Sequence, residues 1–195
     1  MTHGDIPFTL TVDDDVELRL WNESDAEELF ALVDRNRSYL REWLPWLDIT
    51  RSVEDERGFI RRVRKNFADG IGMETGIWVD GTLTGTISFH TSKVENRSTQ
   101  IGYWISADAQ GQGLITRCCK AMLDYAFEKG DFDKAEIHVA RGNRKSRAIP
   151  ERLGFEEERI EENTEWLYDR FVDHVVYGMT ADKWLGRRDA ERSQS

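Results

Sequence analysis

Apolar and polar residues alternate at period two from Val16 to Trp21, the pattern of a strand with one buried face. Ser24 and Asp25 then offer helix caps, and Leu29, Leu32, Val33 and Leu40 recur at helical spacing, which predicts a helix ending near Leu40. Trp43-Leu-Pro-Trp-Leu47 reads as a bulky apolar loop broken by Pro45. A second helix is expected over 53–67, with Phe59, Ile60 and Val63 on its inner face. From Met73 to Ile105 the pattern turns to strands. Ile77-Trp-Val79 and a strand over 83–90 are joined by Asp80-Gly81, a strong hairpin dipeptide. Asn96 marks another turn before a strand over 99–105.

Helix and strand alternate thereafter. Residues 113–129 form an amphipathic pattern through Leu114, Cys118, Met122 and Ala126, ending at Gly130. A short strand covers 134–140, with Ile137 and Val139 on one side. A short helix follows over 146–153, closed by Gly154, with Pro150 expected near its first turn. Residues 155–162 and 171–179 read as a final antiparallel pair. The expectation is one α+β domain over 15–183 around a mixed sheet, with irregular tails at 1–14 and 184–195.

The length of 195 residues suits one domain able to bury roughly 70% of its unfolded surface without disulfide or metal. Charge narrows the partners: 37 Asp and Glu oppose 27 Lys and Arg, giving net −10 and a pI near 5.0. Such a surface repels nucleic-acid backbones and anionic lipid, so any anionic ligand needs a local site. The acid excess, with only 7 Lys, is also what a salty cytoplasm selects. No apolar run reaches the length of a membrane span, and the first fifteen residues lack the basic and apolar regions of a secretory signal. Cys118 and Cys119 are neighbours, best read as small apolar residues in a reducing compartment, and the four histidines are scattered. These observations predict a soluble cytoplasmic protein with no metal.

The sharpest local feature is Ile101-Gly-Tyr-Trp-Ile105, then Ser-Ala-Asp-Ala, then Gln110-Gly-Gln-Gly-Leu-Ile-Thr116. Glycines between a strand end and a helix start let backbone approach a ligand closely, and the helix N-terminus offers N–H donors to an anion such as a pyrophosphate. Thr116 stands where a dinucleotide fingerprint needs its third glycine, and no Gly-Lys-Ser/Thr follows, so neither nucleotide motif is complete. About thirty residues on comes Asn143-Arg-Lys-Ser146, leading through Ile149-Pro150 to Leu153-Gly-Phe155. The two motifs together resemble the GNAT acetyltransferase superfamily, whose acetyl-CoA loop reads Gln/Arg-x-x-Gly-x-Gly/Ala. Gln110 and Gly113 match, while Ile115 departs from the small sixth residue. Leu44-Pro-Trp-Leu47, Gly102-Tyr-Trp104 and Asn-x-x-Ser…Leu-Gly-Phe resemble the RimJ/RimL branch, and the likeness runs in order from about Val16 to Lys183.

The resemblance implies a GNAT fold, with a twisted, mostly antiparallel sheet of about seven strands and about four helices. It also implies transfer of acetyl from acetyl-CoA to an amine by direct attack on the thioester. Acetyl-CoA would be held by Gln110, Gly111, Gln112, Gly113, Leu114, Ile115 and Thr116. Tyr103, Trp104 and Ile105 would supply backbone N–H groups to the developing oxyanion. Asn143 and Arg144 would touch the cofactor, and Ser146 would both contact it and protonate the leaving thiolate. By register Glu165 would be the general base, acting through water. Each has a plainer alternative: Asn143 and Ser146 as helix caps, and Glu165 as one more solvated acid beside Glu156, Glu157, Glu158, Glu161 and Glu162. Arg117, Arg144, Lys145 and Arg147 are candidates for the phosphates or for balancing surface acids. Trp43, Trp46 and Trp166 are either core or an aromatic wall for the acceptor, whose ammonium group Glu42 could receive.

The leading expectation is an acetyl-CoA-dependent acetyltransferase for a protein N-terminal α-amine, of the ribosomal-protein type. An α-amine titrates near 7.7–8.0, well below lysine, and so is neutral more often at working pH. The alternatives are a small-molecule amine as acceptor (amino acid, polyamine or drug), or a non-catalytic acyl-CoA-binding module. No direct nucleic-acid or membrane partner is expected, and a homodimer is left open.

Overall fold

The computed structural model describes residues 8–93 and 97–192. Eight strands form a single sheet: β1 Thr9–Thr11, β2 Val16–Leu20, β3 Gly72–Val79, β4 Thr82–Lys93, β5 Ser98–Ile105, β6 Lys134–Ala140, β7 Glu156–Leu167 and β8 Arg170–Thr180, in the spatial order β1-β2-β3-β4-β5-β6-β8-β7. The five helices are α1 Ala26–Leu40, α2 Val53–Ala68, α3 Leu114–Glu128, α4 Arg144–Leu153 and α5 Ala181–Arg192. β5 and β6 run parallel. The pairs β1–β2, β2–β3, β6–β8 and β7–β8 are antiparallel. The chain divides into two compact units. One comprises the residues up to Phe89 with Tyr103–Leu114, the other His90–Gly102 with the chain from Ile115 onward.

In the first unit the sequence pattern translates directly. Val16, Leu18 and Leu20 are buried on β2 while Glu17 and Arg19 are half-buried. Ser52 caps α2 by accepting the Asp55 N–H, and the buried stripe behind it is Glu56, Ile60 and Val63. Asp80 and Gly81 both take positive φ (48° and 77°), as the tight turn joining β3 to β4 requires. The second unit buries Cys118, Cys119, Met122 and Ala126 of α3 and Ile137 and Val139 of β6. Both cysteines are free thiols with no exposed surface.

Three boundaries differ from expectation. Thr9–Thr11, read as tail, forms β1, because Leu10 and its neighbours find an edge on β2 with Leu10 opposite Leu18. Asn96 lies outside the described residues, as do 1–7 and 193–195 of the expected tails. The segment from 181 is helical. Trp184 Nε1 donates to Asp124 Oδ1 at 2.7 Å, and Arg188 pairs with Asp124 and Glu128, so α5 is fastened to α3 by contacts that local sequence cannot reveal.

The third difference is α4, which starts at Arg144 with Asn143 as its cap, not at Ser146. Pro150 therefore sits in the helix interior rather than the first turn. Its missing N–H leaves out the bond that would run to the Ser146 carbonyl. Gly154 ends α4 at φ 76°, and a Cβ there would come 1.9 Å from Arg187 Nη1, which donates to the Leu153 carbonyl at 2.8 Å. No helix among the described residues is long and apolar enough to cross a membrane.

Candidate active site

The glycine loop is held at its base by a buried amide. Asn36 of α1 is 7% exposed. Its Nδ2 donates to the Leu32 carbonyl at 2.8 Å, and its Oδ1 accepts the Ala107 N–H at 2.9 Å. Both faces of the amide are thereby used, and the turn after β5 is fixed to α1. Tyr39, one helical turn on, hydrogen-bonds Gln110. Burial pushes its phenol pKa up, with that bond and the Glu42 charge acting in opposite directions. Gly111 and Gly113 take φ of 77° and 73°, a conformation that side chains resist. A Cβ at either would meet nothing within 4 Å, so open space stands over the loop.

Leu114 and Ile115 bury their side chains, while Thr116 and Arg117 of α3's first turn are half-buried. That turn contains no acid, which leaves the dipole and N–H groups of the helix start unopposed toward an anion. Thr116 Oγ1 accepts from Arg152 Nη1 of α4 at 2.8 Å, placing a guanidinium beside the same turn. Sequence reasoning missed Arg152, since only the packing of α4 on α3 brings it there. Arg144 and Lys145 are exposed at the start of α4. Arg147 is committed elsewhere: its Nε donates to the Tyr177 hydroxyl at 2.8 Å and its Nη2 pairs with Glu157 and Glu151, which removes it from the phosphate candidates.

Asn143 Oδ1 accepts the Ser146 N–H at 3.1 Å. The cap reading of Asn143 holds, and Ser146 is the third helical residue. The oxyanion candidates Tyr103, Trp104 and Ile105 end β5 in the other unit. There Gly85 lets β4 approach closely, for a Cβ would lie 2.4 Å from the Trp104 carbonyl oxygen. The Trp104 ring meets Trp46 of the loop between α1 and α2, with centroids 6.4 Å apart at 53°. Trp43 and Trp46 are half-buried. Trp166 is 52% exposed and stacks edge-on against Phe171 at 4.8 Å. None of the three is core. Glu42 is exposed.

Glu165 sits on β7 opposite Val172, its side chain 29% exposed, with Oε2 3.4 Å from His174 Nε2. His174 was not singled out by the sequence. The neighbouring acids are paired rather than simply solvated: Glu156 with Lys183, Glu158 with Lys134 and Arg159, and Glu161 with Arg159. Among the described residues no group of three or more His, Cys, Asp or Glu could hold a metal.

A glycine-led helix start on a mixed sheet, followed one strand later by a capped helix bearing Asn143 and Ser146, defines an acyl-CoA transferase architecture. The chain belongs to the acetyltransferase (GNAT) domain family, whose model matches residues 15–156; it is a GNAT-type N-acetyltransferase. It is 36% identical over 182 residues to YdaF of Bacillus subtilis (strain 168), which carries a provisional ribosomal N-acetyltransferase name, with 93% of this chain and 100% of that protein covered. It is 27% identical over 174 residues to the ribosomal-protein-serine acetyltransferase of Escherichia coli (strain K12), covering 89% and 97%. Among solved structures, RimL, a ribosomal L7/L12 α-N-protein acetyltransferase in complex with coenzyme A, superposes with a TM-score of 0.87 at 26% identity, covering 90% of this chain and 99% of that one.

Proposed function

We propose that this acetyltransferase uses acetyl-CoA and acetylates a protein N-terminal α-amine, the acceptor class being a ribosomal protein, within one domain over 15–183. The cofactor half is carried by the start of α3: two glycines at positive φ under open space, no acid in the first turn, and Arg152 donating to Thr116. This donor set fits a pyrophosphate, since backbone N–H groups and one guanidinium offset its charge without competition. The acceptor half is supported by the names of the relatives, two of which act on or are assigned to ribosomal proteins.

Acetyl-CoA supplies the activated acyl group as a thioester. Backbone N–H groups at 110–116 bind its phosphates, with Arg152 beside Thr116 and the exposed Arg144 as a further cation for them. N–H groups at Tyr103, Trp104 and Ile105 stabilise the oxyanion; one such fixed donor contributes roughly 3 kcal/mol in enzymes of this kind of chemistry. Glu165 removes the ammonium proton of the acceptor through water, which frees the lone pair for attack. As the tetrahedral adduct collapses the C–S bond breaks, and the Ser146 hydroxyl gives its proton to the departing thiolate, a light task given thiol pKa values near 8.5. The remaining proton shed by the newly acylated nitrogen restores the hydroxyl. The aromatic pair Trp46 and Trp104 forms an apolar wall against which the acceptor's first residues are placed.

The test is a panel of peptides carrying ribosomal-protein N-termini, the same peptides blocked at the α-amine, and small amines, each incubated with acetyl-CoA and read by mass spectrometry. Acetylation of the unblocked peptides alone is expected. Product confined to the small amines would overturn the acceptor assignment.

A further inference from the structure

The strands β6, β8 and β7 lay a row of ionisable side chains along one sheet face. Glu136 and His138 of β6 stand opposite Gly178 and Val176 of β8, and His174 follows opposite Ala140. On β7, Arg159 and Glu161 stand opposite Val176 and His174. At one end Glu136 is saturated. Burial works against its charge, but hydrogen bonds from Lys134, His138 and Arg159 hold its carboxyl down to about 2. It is therefore a fixed anion at any working pH.

The other end is built differently. The ladder between β7 and β8 is irregular between Glu161 and Glu165: Glu161 faces His174 while Glu165, four residues on, faces Val172. A regular ladder would advance only two residues over that step. The bulge is held by Asn163, at φ 51°, donating its N–H to Asp173 Oδ1 at 3.0 Å, and by the Thr164 hydroxyl donating to the Glu161 carbonyl at 2.9 Å. Its effect is to keep a second glutamate beside the imidazole. His174, with a side chain only 14% exposed, lies between the two, with Nε2 3.4 Å from Glu165 Oε2 and Glu161 as its cross-strand neighbour. Glu161 Oε2 also lies 3.8 Å from His138 Nδ1. The charged and titratable groups around His174 are thus Glu161 and Glu165 on β7 and His138, with Glu136 behind it, on β6. On β8 itself the adjacent Asp173 pairs with Arg141.

We propose that His174 is a positioning residue that orients Glu165 and carries away the proton Glu165 has taken. The proposal rests on the reading of Glu165 as the base. An N–H bond of the acceptor ammonium breaks, its proton passes to the bridging water as that water gives one of its own to Glu165, and an O–H bond forms on Glu165. That O–H then breaks as His174 Nε2 takes the proton. The imidazolium releases the proton to water, and carboxylate and neutral imidazole are restored for the next turnover. In this scheme the role of His174 is exercised through Glu165, the group its Nε2 faces at 3.4 Å.

The test uses the full chain with acetyl-CoA and an accepted amine, comparing His174→Ala, His174→Gln and Glu165→Gln, each checked for folding by circular dichroism. His174→Ala is expected to lower kcat on the order of ten-fold, with both KM values held within about two-fold. Exogenous imidazole should restore most of that loss in a saturable manner. His174→Gln keeps a hydrogen-bonding group but cannot carry a proton, and is expected to stay as slow as the alanine variant. Glu165→Gln should be slow and unresponsive to imidazole. A His174→Ala rate within two-fold of the parent, or full activity of His174→Gln, overturns the relay while a slow Glu165→Gln leaves the base in place. A fully active Glu165→Gln instead removes the base itself, and the relay with it.

Discussion

Glu56 lies on the inner stripe of α2, where the pattern Glu56, Ile60, Val63 would ordinarily be apolar throughout. It is 4% exposed, and its Oε1 has no hydrogen-bond partner. Burial, helped by the neighbouring Asp55 charge and opposed by Arg37, raises its carboxyl from an ordinary 4.5 to about 7. A carboxyl with a raised pKa in the folded state binds its proton more tightly there than in the unfolded chain. Its contribution to stability is therefore complete below pH 4.5 and is lost as pH rises through 7. The rise from 4.5 to about 7 corresponds to about 3 kcal/mol lost by pH 8, of which about 1.4 kcal/mol is already lost at pH 5.5. Glu56→Gln removes the ionisation, so its stability relative to the parent should rise by about 2 kcal/mol between pH 5.5 and pH 8. Half-buried Glu74, raised to about 7 chiefly by desolvation and further by the Glu56 charge, would relax in the same direction. Urea unfolding of both proteins across that pH range, followed by tryptophan fluorescence, measures the difference directly, with unchanged m-values confirming that compactness is unaffected. A stability difference that stays constant with pH would refute the reasoning, because it would mean that Glu56 is ionised to the same extent folded and unfolded.

Three further outcomes are expected. Ser146→Ala should reduce turnover while leaving the Kd for acetyl-CoA, measured by calorimetry, nearly unchanged; a large loss of affinity with turnover intact would make Ser146 a binding residue. Arg152→Ala should raise the KM for acetyl-CoA several-fold with kcat unaltered, and removing the 3′-phosphate and pyrophosphate from the ligand should abolish the difference between the two proteins. Gly113→Ala forces a side chain into φ 73°, which costs about 1 kcal/mol and should lower Tm by about 2–4 °C in a thermal melt, together with weaker acetyl-CoA binding.

What the sequence makes legible is what depends on near neighbours. The Asp80-Gly81 turn, the alternating face of β2 and the glycine loop before α3 are each determined by a few consecutive residues, and each stands where the pattern places it. The start of α4 is harder, because Asn143 and Ser146 are both good caps. Asn143 prevails by bonding the Ser146 N–H itself, and the two-residue difference moves Pro150 from the first turn into the helix interior. α5 is illegible because its polar run carries one deeply buried aromatic, Trp184, and is anchored through Asp124 and Glu128 some sixty residues away. Arg152 and His174 escape for the same reason. One meets Thr116 only after α4 is laid on α3, and the other meets Glu165 only because a bulge alters the register of β7.

The acidity of the chain and the polyanionic acetyl-CoA proposed for it are reconciled by where the charges are held, not by how many there are. Net −10 would repel acetyl-CoA from an evenly charged surface. Yet the first turn of α3 carries no acid, and Arg152 and Arg144 belong to the helix that follows. The acids of β7 are tied to Lys183, Lys134 and Arg159. Exposed pairs of this kind add little stability, at most about 1 kcal/mol each. What they do is shorten the reach of the field, because a carboxylate 2.7–2.8 Å from a cation projects mainly a dipole beyond the Debye length. The unpaired remainder of the negative charge still acts at long range on a cationic acceptor. If the acceptor is the basic protein N-terminus proposed above, it is drawn toward the surface by the same net charge that the helix start locally excludes, and added salt should weaken its association more than that of acetyl-CoA.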